Sequence, residues 1–347
     1  MSSLPSNTSL WPSEMSNAIL ISKVGVCDTA DNTIDSKCRI ASVVLTHNSD
    51  ADIVISLPQL RAQKSIDHSV IIVDNASTLA CLQRMQTWLR HECPDAVIGT
   101  ISELESWIRA NPAQVQVNRR VYLVLNPENR GYSAGNNVGI RLAERMGAGA
   151  VLIANPDMRI DNPHYIADLT QALFADEKNY IAASRIIGID GKSQNPLRES
   201  TFWEEFTWPR SYFGKLFGGG SYVLSSPEKE PICVPKVSGC CLMLRMSFLK
   251  ATDYLDENVF LYCEEPILSA RSRMSGGRII YAPKITAIHA HVRGEKGNTG
   301  KRMLLFIKSR KYYLENYSGY NWLQLQLLSL SYGFLALLNR VRGAFDK

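Results

Sequence analysis

The 347-residue chain lacks several signatures that would settle its class at once. Its cysteines (Cys27, Cys38, Cys81, Cys93, Cys233, Cys240, Cys241 and Cys263) form no C-x-x-C pair and show no zinc-ligand spacing. That argues against a disulfide framework or structural zinc and for reduced thiols in a cytosolic protein. No basic residue precedes Lys23 and no long apolar run accompanies it, so a secretory signal is not expected. G-x-G-x-x-G is missing, which removes the dinucleotide fingerprint, and no Gly-Lys-Ser/Thr follows the Gly/Asn-rich loop near Gly131, which removes a Walker A reading there. A net charge of +5 is too mild to suggest nucleic acid as a partner. Composition is that of a globular chain, 45% hydrophobic and 20% charged, long enough for one large α/β domain or two smaller ones.

What is present is a series of apolar strands that end in polar residues. Arg39 to Asn48, His68 to Asn75, Arg120 to Leu125 and Val151 to Ala154 read as buried strands. Between them, helices are predicted over Ala51 to Gln63 with Pro58 inside, from a Ser77 cap through Arg90, over Ser102 to Ala110 and from Ile140 onward. Strand–helix alternation implies a parallel sheet with right-handed crossovers. Asn48, Asp74, Asn75, the Asn126–Gly131 segment, Asn155 and Asp157 then fall on the carboxyl edge, where open α/β sheets keep their ligand crevices. Further on, a helix is predicted over Asn162 to Ala175 and strands over Tyr180 to Ile189, Val237 to Arg245 and Arg278 to Tyr281.

Each motif admits a plain reading beside a chemical one. Asn155-Pro156-Asp157 stops a strand abruptly and presents a carboxylate, yet these are also common turn residues. Asn129, Gly131, Gly135, Asn136, Asn137 and Gly139 suit close backbone approach to a diphosphate ahead of a helix, or merely a loop and helix cap. Glu264 and Glu265 open a helix, where its dipole favours acids in any case. His289 and His291 near an acidic site raise the odds of a metal ligand. The aromatics from Phe202 to Phe213 serve either a lid or acceptor site or the core.

Taken together, NRGYSAGNNVGIRLA, NPD and FLYCEEPILSARSRMSGGRIIYAP resemble three ordered blocks of family 2 inverting glycosyltransferases, in particular the rhamnosyltransferase-like branch. The resemblance spans roughly Arg39 to Lys311. It implies a GT-A-type, Rossmann-like α/β fold: a mixed, mostly parallel sheet flanked by helices, followed here by a helical tail. It further implies a nucleotide-sugar donor near Asn48, Asp74, Asn75, Asn129, Gly131, Gly135 and Asn136. Asn155 and Asp157 stand at the two acids of D-x-D, with Asp157 and His289 as ligands of a divalent Mn2+ or Mg2+. Glu265 falls at the general base, with Glu264 pointing elsewhere. The block departs from the family pattern at Ile267, where an acid is usual, and at Pro266, expected as the first helical residue.

The resemblance favours dTDP-rhamnose as donor and a cell-surface polysaccharide or lipid-linked glycan as acceptor. UDP-galactofuranose or another UDP-sugar is the nearest alternative donor. A non-catalytic nucleotide-sugar-binding partner in a glycan assembly complex is the reading from another class, and a homo-oligomer is compatible with the sequence. Residues 301–347 hold eight Lys/Arg against Glu315 and Asp346, and no charge lies between Glu315 and Arg340. Leu323, Leu327, Leu330, Phe334, Leu337 and Val341 keep helical spacing, which suits a core helix or a basic amphipathic helix on an anionic membrane. The latter places the protein peripherally on the inner face of the cytoplasmic membrane. The expected organisation is an N-terminal extension (1–38, largely disordered apart from an edge strand at Ala18–Val26), a nucleotide-sugar half (39–160), an acceptor and catalytic half (161–300) and the tail (301–347).

Overall fold

The computed structural model describes residues 39–115, 117–207, 222–224, 229–291 and 299–345. The N-terminal extension, the edge strand expected at Ala18–Val26 and the aromatics Trp208, Tyr212 and Phe213 lie outside these residues.

Among the described residues the sheet holds ten strands: β1 (Ile40–Thr46), β2 (His68–Asn75), β3 (Val97–Gly99), β4 (Val121–Asn126), β5 (Ala150–Ala154), β6 (Met158–Arg159), β7 (Asn179–Gly188), β8 (Ile232–Val234), β9 (Cys241–Arg245) and β10 (Arg278–His289). Their order is β3-β4-β2-β1-β5-β9-β7-β10-β6, with β8 on β10. The first five strands in that order are mutually parallel, as the alternation requires, and β9 enters antiparallel between β5 and β7. β7 and β10 are again parallel, with a bulge in which Ala282 and Thr286 face the consecutive residues Ser184 and Arg185. The sheet is therefore mixed and mostly parallel, flanked by helices.

Alternate residues of each strand feed opposite layers. Ile40, Val44, Val70 and Ile72 join one buried cluster, while Ala41, Val43, Ile71 and Val73 join the other. A fully buried Ile or Leu contributes about 1.5–3 kcal/mol. An exposed ion pair contributes ~1 kcal/mol at most, so the two packed faces dominate.

Helices α1 (Asp50–Arg61, Pro58 within it), α2 (Leu79–Glu92), α3 (Ile101–Ala110), α4 (Pro112–Val115), α5 (Tyr132–Arg145), α6 (Tyr165–Phe174), α7 (Phe202–Phe206), α8 (Met246–Ala251), α9 (Glu264–Met274), α10 (Thr299–Tyr317) and α11 (Trp322–Phe345) complete the described residues. Two starts differ from expectation. Thr78, not Ser77, precedes α2, because the Ser77 hydroxyl instead accepts from the Asn48 amide at 2.9 Å. Helix α5 begins at Tyr132 rather than Ile140. Its glycines Gly135 and Gly139 are not loop residues but lie over Leu45 and Val43, where a Cβ would come within 2.5 and 2.6 Å of those side chains. Helices α10 and α11 pack on each other, with the Asn339 side chain donating to the Gly300 carbonyl at 2.9 Å, which makes them antiparallel.

His68 gives the fold a pH dependence. It is fully buried, and its Nε2 donates to the Leu60 carbonyl at 2.9 Å. Burial pushes its pKa down to about 4 against the resistance of that carbonyl. The unfolded chain therefore binds the proton first as pH falls. Stability is full above about pH 6.5 and declines towards pH 4, by on the order of 3 kcal/mol for this group. Urea unfolding at pH 7 and pH 5 reads the effect, and His68→Gln should flatten the difference.

Candidate active site

The carboxyl edge assembles as the strand register requires. Thr46 pairs with Asp74 and Asn75 with Asn126, so the ends of β1, β2 and β4 are level. Asn75 is buried and central. It accepts from the Asn126 side chain at 2.8 Å and donates to Asn129 Oδ1 at 3.0 Å, and its carbonyl accepts from His47 at 2.9 Å. Asp74 is also buried, and its Oδ1 has no hydrogen-bond partner. Asn48 is exposed in a left-handed conformation (φ 55°), its Oδ1 accepting from the Thr78 amide. Asn129 orients Gly131 by accepting its amide at 3.1 Å. Gly131 has φ 103°, and a Cβ there would lie 2.2 Å from the Phe260 carbonyl, so the position is closed to other residues.

Two of the expected donor contacts, Gly135 and Asn136, lie within α5. Gly135 gives its amide to the Gly131 carbonyl inside α5. Asn136 is fully buried, with its side-chain amide on the Tyr132 carbonyl.

After β5, the Asn155-Pro156-Asp157 turn closes with the Met158 amide on the Asn155 carbonyl, and β6 runs back antiparallel to the end of β10. That return seats Asp157 beside Ala290, whose amide it accepts at 2.9 Å. His289 and His291, two residues apart, share a face there, and their rings stack at 5.5 Å. Asp157 Oδ1 lies 3.4 Å from His289 Nε2, and Asp157 Oδ2 lies 3.2 Å from His291 Nδ1. Burial pushes the Asp157 carboxyl up, but the two histidines outweigh it and hold it below its usual range.

These residues fit a divalent cation. His289 Nδ1 donates to Gln194 Oε1 at 2.9 Å, so a neutral ring turns its Nε2 lone pair on Asp157 Oδ1. That oxygen is buried and makes no hydrogen bond. Two acceptors facing one another call for a proton or a metal ion between them. The third ligand atom, on His291, lies within the same 4.8 Å cluster and favours the metal. Sequence reasoning named Asp157 and His289 as ligands, took His291 only as raising the odds of a metal ligand, and gave Gln194 no role. The H-x-H spacing held the signal for His291, whereas nothing in the local sequence marks Gln194.

Asn155, His289, Glu264 and Glu265 line one cleft, together with Tyr132 and Arg310. Glu265 Oε1 accepts the Gly239 amide at 3.2 Å, and the Tyr132 hydroxyl donates to the Gly239 carbonyl at 2.8 Å, so Gly239 ties Glu265 to the start of α5. Tyr262 (φ 72°) and Cys263 (φ 67°) adopt left-handed backbone immediately before α9, a strained approach that aims both glutamates inward. Glu264 is therefore not turned away as expected: it shares the cleft, and its Oε1 is buried without a partner. Burial, then the Glu265 carboxylate, pushes the Glu264 pKa up to about 8. Pro266 is the third residue of α9 rather than the first, still among the turn whose amides have no intrahelical acceptor. Ile267 is buried against Ile307, Leu314, Leu328 and Leu335 of the α10–α11 pair. An acid at that position would be buried among aliphatic side chains, which explains the departure from the family pattern. The same pair of helices is bolted on by the buried Glu205, which bonds Arg310 and Tyr332.

No family model matches the chain. It is 30% identical over 233 residues to the low-salt glycan biosynthesis hexosyltransferase Agl10 of Haloferax volcanii, a match covering 65% of this chain and 68% of that protein. Among solved structures, GalNAc-T7 with UDP, GalNAc and Mn2+ superposes with a TM-score of 0.51 at 13% identity, over 89% of this chain and 54% of the other. The mannosyltransferase PcManGT of Pyrobaculum calidifontis, in complex with GDP-Man and Mn2+, gives 0.49 at 17% identity, over 88% and 75%. A sheet of this order, with its polar carboxyl edge and a sequence match of that extent, leads to one conclusion: the chain belongs to the hexosyltransferase family of the Haloferax protein and is a glycosyltransferase with a GT-A-like fold.

Proposed function

We propose that the chain is an inverting, divalent-metal-dependent glycosyltransferase that moves a sugar from a nucleotide sugar to a hydroxyl of a cell-surface polysaccharide or lipid-linked glycan. The observation that carries this reading is an Asp157–His289–His291 cluster whose His289 lines the same cleft as the carboxylate of Glu265. Asp74, Asn75, Asn129 and Asn48 hold the base and ribose end of the donor, and Asn155 and the Gly131 segment the diphosphate end. Asp157, His289 and His291 hold the metal, which supplies positive charge to the departing diphosphate. Glu265 accepts the proton of the acceptor hydroxyl as its oxygen bonds to the anomeric carbon. The bond to the nucleoside diphosphate breaks in the same displacement, and the anomeric configuration inverts.

Rhamnose from dTDP-rhamnose is the first donor to try, with UDP-galactofuranose next. Ile267 lends no weight to a non-catalytic reading, because its burial accounts for it. A panel of nucleotide sugars with NMR of the product anomer tests the proposal. Transfer with retention, or binding of every donor without transfer or hydrolysis, would sink it.

A narrower expectation concerns Gln194. Gln194→Leu removes the acceptor that fixes His289 and should weaken Mn2+ binding about 10–100-fold. Mn2+ titration followed by electron paramagnetic resonance reads this, beside a melt of the metal-free protein that should barely move. Unchanged Mn2+ affinity would show that the hydrogen bond does not orient a ligand.

A further inference from the structure

Helix α11 is buried on one side only. Leu328, Tyr332, Leu335 and Asn339 are buried, whereas Trp322, Leu323, Leu330, Phe334, Leu337 and Val341 are 47–73% exposed. At 3.6 residues per turn, the six exposed side chains fall within about a third of the helix circumference, opposite the buried face. The stripe runs about 30 Å along the helix. The other exposed large apolar side chains among the described residues occur singly or in adjacent pairs. An apolar surface of this length, broken by the exposed Gln326, marks an interaction site. The helix thus fits neither of the plain expectations alone, being core on one face and bare on the other.

Charge identifies what covers the bare face. The Asn339–Gly300 hydrogen bond brings the end of α11 to the start of α10, so Arg340 shares one end of the pair with the exposed Lys301 and Arg302. No acid lies between Glu315 and Asp346, and residues 301–347 sum to +6 from eight Lys/Arg and two acids. Arg310 is buried and paired with Glu205, so the surface charge of the pair lies in its remaining Lys/Arg, which anionic headgroups complement. No helix among the described residues is long and apolar enough to cross a membrane, and packing on the buried face keeps α11 against the protein.

We propose that the α11 stripe lies in the plane of an anionic bilayer, its apolar side chains among the acyl chains and its basic end on the headgroups. Phe306 and Arg310 of α10 line the catalytic cleft, so docking sets that cleft beside the membrane. The further step, that a lipid-linked acceptor is met there, rests on the proposed transferase reading.

The test uses the full chain with vesicles of phosphatidylcholine alone and of phosphatidylcholine mixed with phosphatidylglycerol, without donor or acceptor. Its outcome is therefore independent of whether the transfer reading holds. Sedimentation with the mixed vesicles, weakened by salt, is expected. The double variant Leu330→Glu, Phe334→Glu should bind them about tenfold or more weakly with an unchanged melt. If that variant loses its cooperative melt, Leu330→Gln gives the same readout. Equal binding of wild type and a folded variant, or no binding to either vesicle, overturns the proposal. So does a wild-type dimer that the variant makes monomeric, which would assign the stripe to a second copy.

Discussion

Replacing Asp157 with alanine is expected to lower turnover by about 10³-fold or more, because several kcal/mol of charge stabilisation at the diphosphate depend on it. Donor affinity should at the same time become insensitive to Mn2+ or Mg2+. The fold should survive, since the contact that seats this segment is the Ala290 amide on the Asp157 carbonyl and not the side chain. Asp157→Asn is the sharper control: it keeps the size of the group and removes the charge. Calorimetry of donor binding with and without metal, together with a melt, separates lost ligation from lost structure. Equal donor affinity of the wild type in stripped and metal-loaded form would remove the cluster from the mechanism.

The adjacent glutamates give the second large effect. Glu265→Gln retains a group able to sit on the Gly239 amide but not to take a proton, so single-turnover transfer at saturating donor should slow by about 10²–10⁴-fold. Donor binding should hardly change. Glu264→Gln should differ in kind. A carboxyl held up to about 8 by burial and by Glu265 is mostly protonated at neutral pH, and glutamine resembles that form. Transfer should stay near normal. A carboxyl pKa raised on folding means that the folded chain binds the extra proton. Its contribution is complete below the ordinary glutamate range and is lost as pH rises through about 8. Glu264→Gln should therefore flatten the fall in melting temperature over that range. If Glu264→Gln proved inactive and Glu265→Gln normal, the two roles would be exchanged.

Much of this site is legible in the sequence because strands advertise themselves. β1, β2, β4 and β5 are short apolar runs that stop on Asn or Asp, and the parallel order that levels those ends follows from the intervening helices. What escapes sequence reading is long-range pairing. The pairing of β9 with β5 joins residues more than eighty positions apart and its pairing with β7 residues more than sixty apart, and in the link built on the turn before it Tyr132 and Gly239 are 107 positions apart. The helical place of Gly135 and Gly139 is hidden in the sequence for a physical reason. Small residues that allow close approach look alike whether the neighbour is a phosphate or a sheet, and here Gly135 lies over Leu45 and Gly139 over Val43. Gln194 is invisible locally, since its role exists only once the chain has returned to the end of β10.

The bulge in β10 bears on how this family can vary. Three residues, Pro283 to Ile285, stand between the pairs Ala282–Ser184 and Thr286–Arg185, and the ladder resumes from Thr286 to His289. Strand side chains alternate, so the face shown by His289 and His291 is set by that second ladder and by β6, not by the first half of the strand. Length differences among relatives should accordingly be absorbed at the bulge without cost to the histidines. A single residue gained or lost between Thr286 and His291 turns the outer histidine to the opposite face, so the spacing there is the conserved quantity to look for when the family is aligned.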